Sequence, residues 1–230
     1  MVEIYFNFNL GMVFKMEIKK KTKEIIKRLN KEYLNTKIAL KFGNPLEILV
    51  ATILSAQCTD KRVNIVTQTL FKKYKKTGDY ANADPKVFEN EIRSTGFYRN
   101  KAKNIINAAK MILNNYKGKV PDTMQDLLSL PGVARKTANI VLGNAYGKVE
   151  GIAVDTHVRR LSQRLGLSRT DNPEKIEQDL INIVPKNEWF RITNLLIDHG
   201  RKICGARKPL CGNCVLEDLC PKIGIDKIKN

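Results

Sequence analysis

No stretch of the 230-residue sequence keeps about 18 apolar residues together, so no segment reads as a membrane-spanning helix. Strand signals are almost as scarce: only the first 15 residues alternate in the manner of a strand. Acidic residues are few, 23 against 41 lysines and arginines, for a formal net charge of +18. The excess is spread along the chain and argues for a polyanionic partner, nucleic acid ahead of an anionic membrane surface. A merely basic, soluble protein is the plain alternative. Histidine occurs twice, as His157 and His199, neither with an evident catalytic or metal-binding partner; both are expected to be hydrogen-bonded structural residues. Cysteine is nearly absent before residue 204, where Cys58 alone occurs and is expected to pack inside an apolar helix. Four more crowd the last 27 residues, which argues against a disulfide scaffold and for an intracellular location. The opening MVEIYFNFNLGMVF lacks a basic leader and a cleavage site, so it is not read as a signal peptide, and Met16 offers an alternative start.

Helix signals, by contrast, recur throughout. Asn44-Pro45, Asp84-Pro85 and Asn172-Pro173 each pair an N-cap with proline at the first helical position. Behind them lie LEILVATILSAQ, KVFENEIRS and EKIEQDLINIV; further periodic stretches cover 20–33, 60–75, 99–116, 123–130, 155–166 and 187–203. Gly118, Gly147 and Gly166 fall where breaks are expected. The fold class is therefore all-α, about ten short helices with short connections.

The late cysteines, Cys204, Cys211, Cys214 and Cys220, read C-x6-C-x2-C-x5-C, and four thiolates within 17 residues can surround one metal centre. Structural zinc usually takes two close pairs across a longer loop, whereas a compact four-thiolate loop also suits an iron–sulfur cluster. Spacing alone leaves both open. Between the first two cysteines, GARKPL holds Arg207 and Lys208 on a tethered loop, suited to presenting cations to a phosphate backbone; an ordinary solvated loop is the alternative.

A different oddity lies in LPGVARKTANIVLGNA, residues 130–145. Pro131-Gly132 marks a turn and Ala138, Val141, Leu142 and Ala145 share a helical face, so a helix should begin near Ala134. Its first turn then carries Arg135 and Lys136, although a helix N-terminus favours anions. A tight Gly turn beside a helix N-terminus also exposes backbone N–H groups that bind a phosphate.

LPGV followed by a helix resembles the helix-hairpin-helix motif, with Ala134 where a second glycine is usual. Together with LSAQCTD (54–60), GFYRNKAKNI (96–105), VDTHV (154–158) and HGRKICGARKPLCGNCVLEDLC (199–220), it resembles the endonuclease III family over about residues 20–221. The resemblance implies a 4Fe–4S cluster on the four cysteines and two helical domains flanking a DNA-binding cleft. One is a six-helix domain, 38–150, with the helix-hairpin-helix at about 123–146; the other is discontinuous, 18–37 with 151–230, and carries the cluster loop. Residues 1–17 would be an N-terminal extension that need not be ordered.

The resemblance also assigns roles. Lys136 matches the family's nucleophile and Asp155 its essential aspartate. A positive helix end, Arg135 and partial desolvation would each disfavour a charged amine at Lys136 and free it to attack. Asp155 could stabilise positive charge on the sugar, cap the helix starting at Thr156, or do both. Gln57 and Phe97 match the residues that fill the gap left by a flipped base, with an interior aromatic the alternative for Phe97. Gly132, Val133, Ala134 and Arg135 would contact the backbone with Arg207 and Lys208, while Asp60 would cap a helix. The partner is damaged double-stranded DNA, bound by a monomer away from any membrane. Adenine mismatch glycosylases have a catalytic glutamate in the early helix, where this chain offers only Asp60, and thymine mismatch glycosylases generally carry tyrosine in place of the lysine. A non-catalytic iron–sulfur DNA-binding protein would need neither Lys136 nor Asp155. The expected activity is that of a DNA glycosylase and AP lyase acting on oxidised pyrimidines.

Overall fold

In the computed structural model the described residues are 2–225, with side chains from Met16 onward. Eleven α-helices occur among them, and the only extended pairing is an isolated bridge between Cys204 and Pro209. The chain divides into two compact units, Met1–Lys37 with Gly151–Asn230, and Ile38–Glu150.

The Ile38–Glu150 unit is organised around α2 (Pro45–Leu54), in which every residue from Ile48 to Leu54 is buried. A helix apolar all round must lie in the middle of its unit. Around it stand α3 (Asp60–Lys73), α5 (Pro85–Glu91), α6 (Tyr98–Asn115), α7 (Met124–Ser129) and α8 (Arg135–Tyr146). These match six stretches legible in the sequence. The short α4 (Thr77–Ala81) is additional, too brief to leave a periodic signal. Their core joins Tyr80, Phe88, Ile105, Ile112, Leu127 and Leu142 to α2.

The other unit combines α1 (Val2–Glu32) with α9 (Thr156–Arg164), α10 (Pro173–Ile183), α11 (Trp189–Lys202) and the cysteine loop. Ile25 and Leu29 of α1 pack with Leu161, Leu180, Leu195 and Leu196. The strand expected from alternation in the first 15 residues is not formed; α1 is helical from Val2. A lone strand leaves its backbone donors and acceptors unpaired, whereas a helix satisfies them internally. The extension and the first helix are thus one element.

The three Asx-Pro starts work as caps. Asn44, Asp84 and Asn172 accept hydrogen bonds from the N–H groups of Glu47, Val87, and Glu174 with Lys175, respectively. Two local expectations fail. Thr59, not Asp60, caps α3, because its hydroxyl reaches the Arg62 N–H while Asp60 already lies in the first turn. Cys58 lies beyond α2 rather than within it, in a loop where Gln57 adopts a left-handed φ of 51°, although it does pack, half-buried, against the core as expected.

Candidate functional site

The hairpin is built from α7, a turn at Leu130–Ala134, and α8. Gly132 sits at φ +79°, and a Cβ there would lie 2.8 Å from Cβ of Asn104 on α6, so both conformation and space require glycine. The Val133 N–H donates to the Leu130 carbonyl at 3.1 Å and its side chain is buried in the core. Val133 therefore shapes the turn, while Gly132 and Ala134 beside it are exposed. Ala134 is the N-cap of α8 and has no side-chain acceptor to give its first turn. The first N–H groups of a helix have no intrahelical partner, so an uncapped start is a ready anion site.

Lys136 follows directly, at the second position of α8. Ala138, Val141 and Leu142 face the core, which turns Lys136 outward, and its side chain is exposed. The folded chain therefore does not supply the partial desolvation expected of Lys136.

Gln57 and Phe97 are both exposed, and both hold a left-handed backbone, at φ 51° and 47°. Non-glycine residues in that region cost about 1–3 kcal/mol each, and such strain gathers at functional sites. Phe97 is 63% exposed, which removes the interior-aromatic alternative. Lys101 ties the two loops together. Buried to 4% exposure, its Nζ donates to the carbonyls of Leu54 and Thr95, each at 2.8 Å. One carbonyl precedes Gln57 by three residues and the other precedes Phe97 by two.

In the other unit, Asp155 caps α9: its Oδ1 accepts from the N–H groups of His157 and Val158, both at 2.8 Å.

The four cysteines line one small, largely apolar cavity with Leu161, Leu165, Ile203 and Leu210. None of them is paired in a disulfide. Tetrahedral zinc would draw its four sulfurs to about 3.8 Å from one another, given bonds of about 2.3 Å. Thiolates spread around a cavity suit a polynuclear cluster, in which each binds its own iron. Other donors support the same reading. The N–H groups of Leu216 and Lys222 point at the sulfurs of Cys214 and Cys220, each at 3.4 Å, and Arg164 reaches Cys204 Sγ at 3.2 Å. Burial pushes the Cys214 and Cys220 thiols up, against the pull of the Leu216 and Lys222 N–H groups and with the help of the neighbouring cysteines.

His199 has a partner that sequence reasoning missed. It is 2% exposed, and burial pulls its pKa down to about 4, keeping the ring neutral at physiological pH. Its Nε2 lies 3.2 Å from Cys214 Sγ and its Nδ1 3.0 Å from the Tyr33 hydroxyl. A neutral imidazole donates from one nitrogen and accepts at the other, and a thiolate ligand calls for the donor at Nε2. His157 is an ordinary structural residue, 3.1 Å from Arg160.

Arg164 was also missed. Its buried guanidinium donates to the carbonyls of Gly205 and Ala206, both at 2.8 Å. Arg160 holds the Cys204 carbonyl at 3.1 Å. Arg207 and Lys208 project from this fastened loop, exposed. Lys101, Arg164 and His199 share a sequence signal: each is a polar residue in the apolar stripe of its helix, beside Ile105, Leu161 and Leu196 respectively.

These features define a class, and comparison with known proteins narrows it. Residues 50–186 match the family of HhH-GPD superfamily base excision DNA repair proteins, and residues 204–220 match the iron–sulfur binding domain of endonuclease III. Endonuclease III of Synechocystis is 51% identical over 88% of this chain and 93% of its own length. Endonuclease III of Escherichia coli K12 is 39% identical over 88% of this chain and 95% of its own. A solved structure of a trapped endonuclease III–DNA covalent intermediate, in an estranged-adenine complex, aligns with TM-score 0.86 and 42% identity, covering 92% of this chain and 99% of that one. The chain belongs to the endonuclease III family. It is a base excision repair DNA glycosylase with AP lyase activity and carries a 4Fe–4S cluster.

Proposed function

We propose that the chain acts as a monomer inside the cell on damaged duplex DNA, removing oxidised pyrimidines and cutting the strand 3′ to the resulting site. The observation that carries this reading is Lys136, exposed in the uncapped first turn of α8 directly after the Gly132 turn. Phosphates of the damaged strand bind the N–H groups of Gly132 and Ala134 with Arg135, which sets Lys136 against the sugar of the flipped nucleotide. The neutral amine attacks C1′, the C1′–N bond to the base breaks, and the base leaves with a proton. The C1′–O4′ bond of the resulting aminal then opens, the ring oxygen taking up a proton, and the imine so formed acidifies the C2′ hydrogen; its removal expels the 3′ phosphate by β-elimination. Asp155 stabilises positive charge on the sugar and relays a proton, while its Oδ1 remains fixed as a cap. Gln57 fills the space left in the duplex and Phe97 wedges beside it. Cys204, Cys211, Cys214 and Cys220 hold the cluster, which fixes the loop bearing Arg207 and Lys208.

Borohydride reduction of the imine tests the assignment. Wild-type protein should become covalently joined to a duplex with one abasic site. Lys136→Gln should still bind that duplex yet lose both trapping and strand cleavage by at least about a thousandfold, the scale of a missing nucleophile. Trapping of Lys136→Gln at the wild-type level would place the nucleophile elsewhere.

A further inference from the structure

The Ile38–Glu150 unit has a second basic feature, at the opposite end of the helices that carry its DNA-facing residues. An open groove of about 750 Å³ is lined by Asn44 and Pro45 at the start of α2, Asn115 and Tyr116 at the end of α6, and Tyr146 at the end of α8. Gln57 follows the other end of α2, Phe97 precedes α6, and the hairpin turn precedes α8. With a rise of 1.5 Å per residue, these helices separate the two poles by roughly 15, 27 and 18 Å.

Lys75, Lys76, Lys117 and Lys119 stand exposed on the rim of that groove. Two acids lie nearby, fewer than the lysines. Asp122 pairs with Lys148, and Asp79 accepts from the backbone N–H groups of Lys75 and Lys76. The two lysine pairs sit on a firm frame, because the Thr77 hydroxyl between them donates to the Gly118 carbonyl at 2.7 Å. The Tyr146 hydroxyl donates to the Val120 carbonyl at 2.6 Å and closes the floor. Lys117 is itself held at a left-handed φ of 53°, a strained backbone maintained by its surroundings. Four exposed ammonium groups along a groove of this size match a run of phosphates rather than one small anion.

We propose that this groove is a second nucleic-acid site, holding the phosphate backbone of a duplex segment other than the one under repair. The protein would then bridge two DNA segments, one at the hairpin pole and one at the lysine pole. The proposal rests on the reading above only in assigning the lesion duplex to the hairpin pole.

The test uses the full chain joined by borohydride to a short abasic duplex, which occupies the hairpin pole, and titrated with a fluorescent undamaged duplex. The wild-type adduct should bind the second duplex. Replacing all four lysines by alanine should leave adduct formation unchanged and weaken second-duplex binding at least about tenfold, with a salt slope shallower by up to about 0.9 per lost contact. The four Lys→Arg replacements should restore binding. Equal binding by the alanine variant, or capture of polyglutamate in preference to duplex, would overturn the proposal. Failure to form any adduct would count against Lys136 instead. A second measurement then decides: saturating undamaged duplex should protect these four lysines from an amine-reactive reagent, and undiminished reactivity would overturn the site.

Discussion

The loops proposed to meet DNA in the two units are positioned by different means. In the Ile38–Glu150 unit the devices are mainly conformational: Gln57, Phe97 and Gly132 all have left-handed φ, and one buried lysine fastens two of their loops. In the other unit the cysteine loop is tied by side chains, with Arg164 and Arg160 on its carbonyls and four thiols around a cavity. The Gly132 turn fails when a single Cβ is added. A tethered loop fails when a tether or its metal is lost. The two units should therefore respond to different perturbations.

The largest effect is expected from the cluster. Cys211→Ser should lower iron content from about four per chain, bleach the brown colour and sharply reduce soluble yield, since metal binding is folding free energy. The damage should be confined. Hydrogen exchange on surviving protein should show the 204–220 loop opened and the Ile38–Glu150 core still protected. Equal loss of protection in both units would erase the contrast.

Gly132→Ala probes the conformational side. The new Cβ would meet Asn104 at 2.8 Å with the backbone already left-handed, a combined cost of about 2–4 kcal/mol. The hairpin should shift and DNA affinity should fall by one to two orders of magnitude, at about 1.4 kcal/mol per tenfold, while iron content stays normal. Normal affinity would show that the turn tolerates what its geometry forbids.

Lys101→Met keeps the apolar stem and removes the tie between the Gln57 and Phe97 loops. Two buried carbonyls lose their donor, a local cost of about 1–3 kcal/mol. Cleavage of an abasic site in single-stranded DNA, which needs no wedge, should be nearly unchanged. Base removal from duplex, and the fluorescence of 2-aminopurine opposite the lesion, should both fall. A uniform loss on both substrates would reduce Lys101 to a stability residue.

These sites were not equally legible in the sequence. Periodicity and Asx-Pro caps located the main helices because each signal is local: Asn44, Asp84 and Asn172 cap residues two or three positions away. The motif cysteines and the Gly132 turn were legible for the same reason. The alternation at the N-terminus misled, since a strand depends on a partner that alternation does not specify. Lys101, Arg164 and His199 act on groups 6 to 47, 40 to 42 and 15 residues away, respectively. Only the fold reveals those contacts, although a polar residue in an apolar stripe was a warning visible in the sequence.

The smallest effect is expected at the tip of the tethered loop. Arg207 and Lys208 are exposed, and the loop's fastening runs through Arg160, Arg164 and the cysteines rather than through them. Replacing both with Gln should leave iron content and thermal stability within about 0.5 kcal/mol, the usual range for surface positions. Affinity should weaken to a similar degree for damaged and undamaged duplex, because phosphate contacts do not read the base. The plot of log affinity against log salt should become shallower by up to about one unit per lost contact. If the slope stays constant while lesion preference declines, the loop lies nearer the damaged base than its place on the cluster suggests. The division between a lesion-reading unit and a backbone-gripping loop would then have to be redrawn.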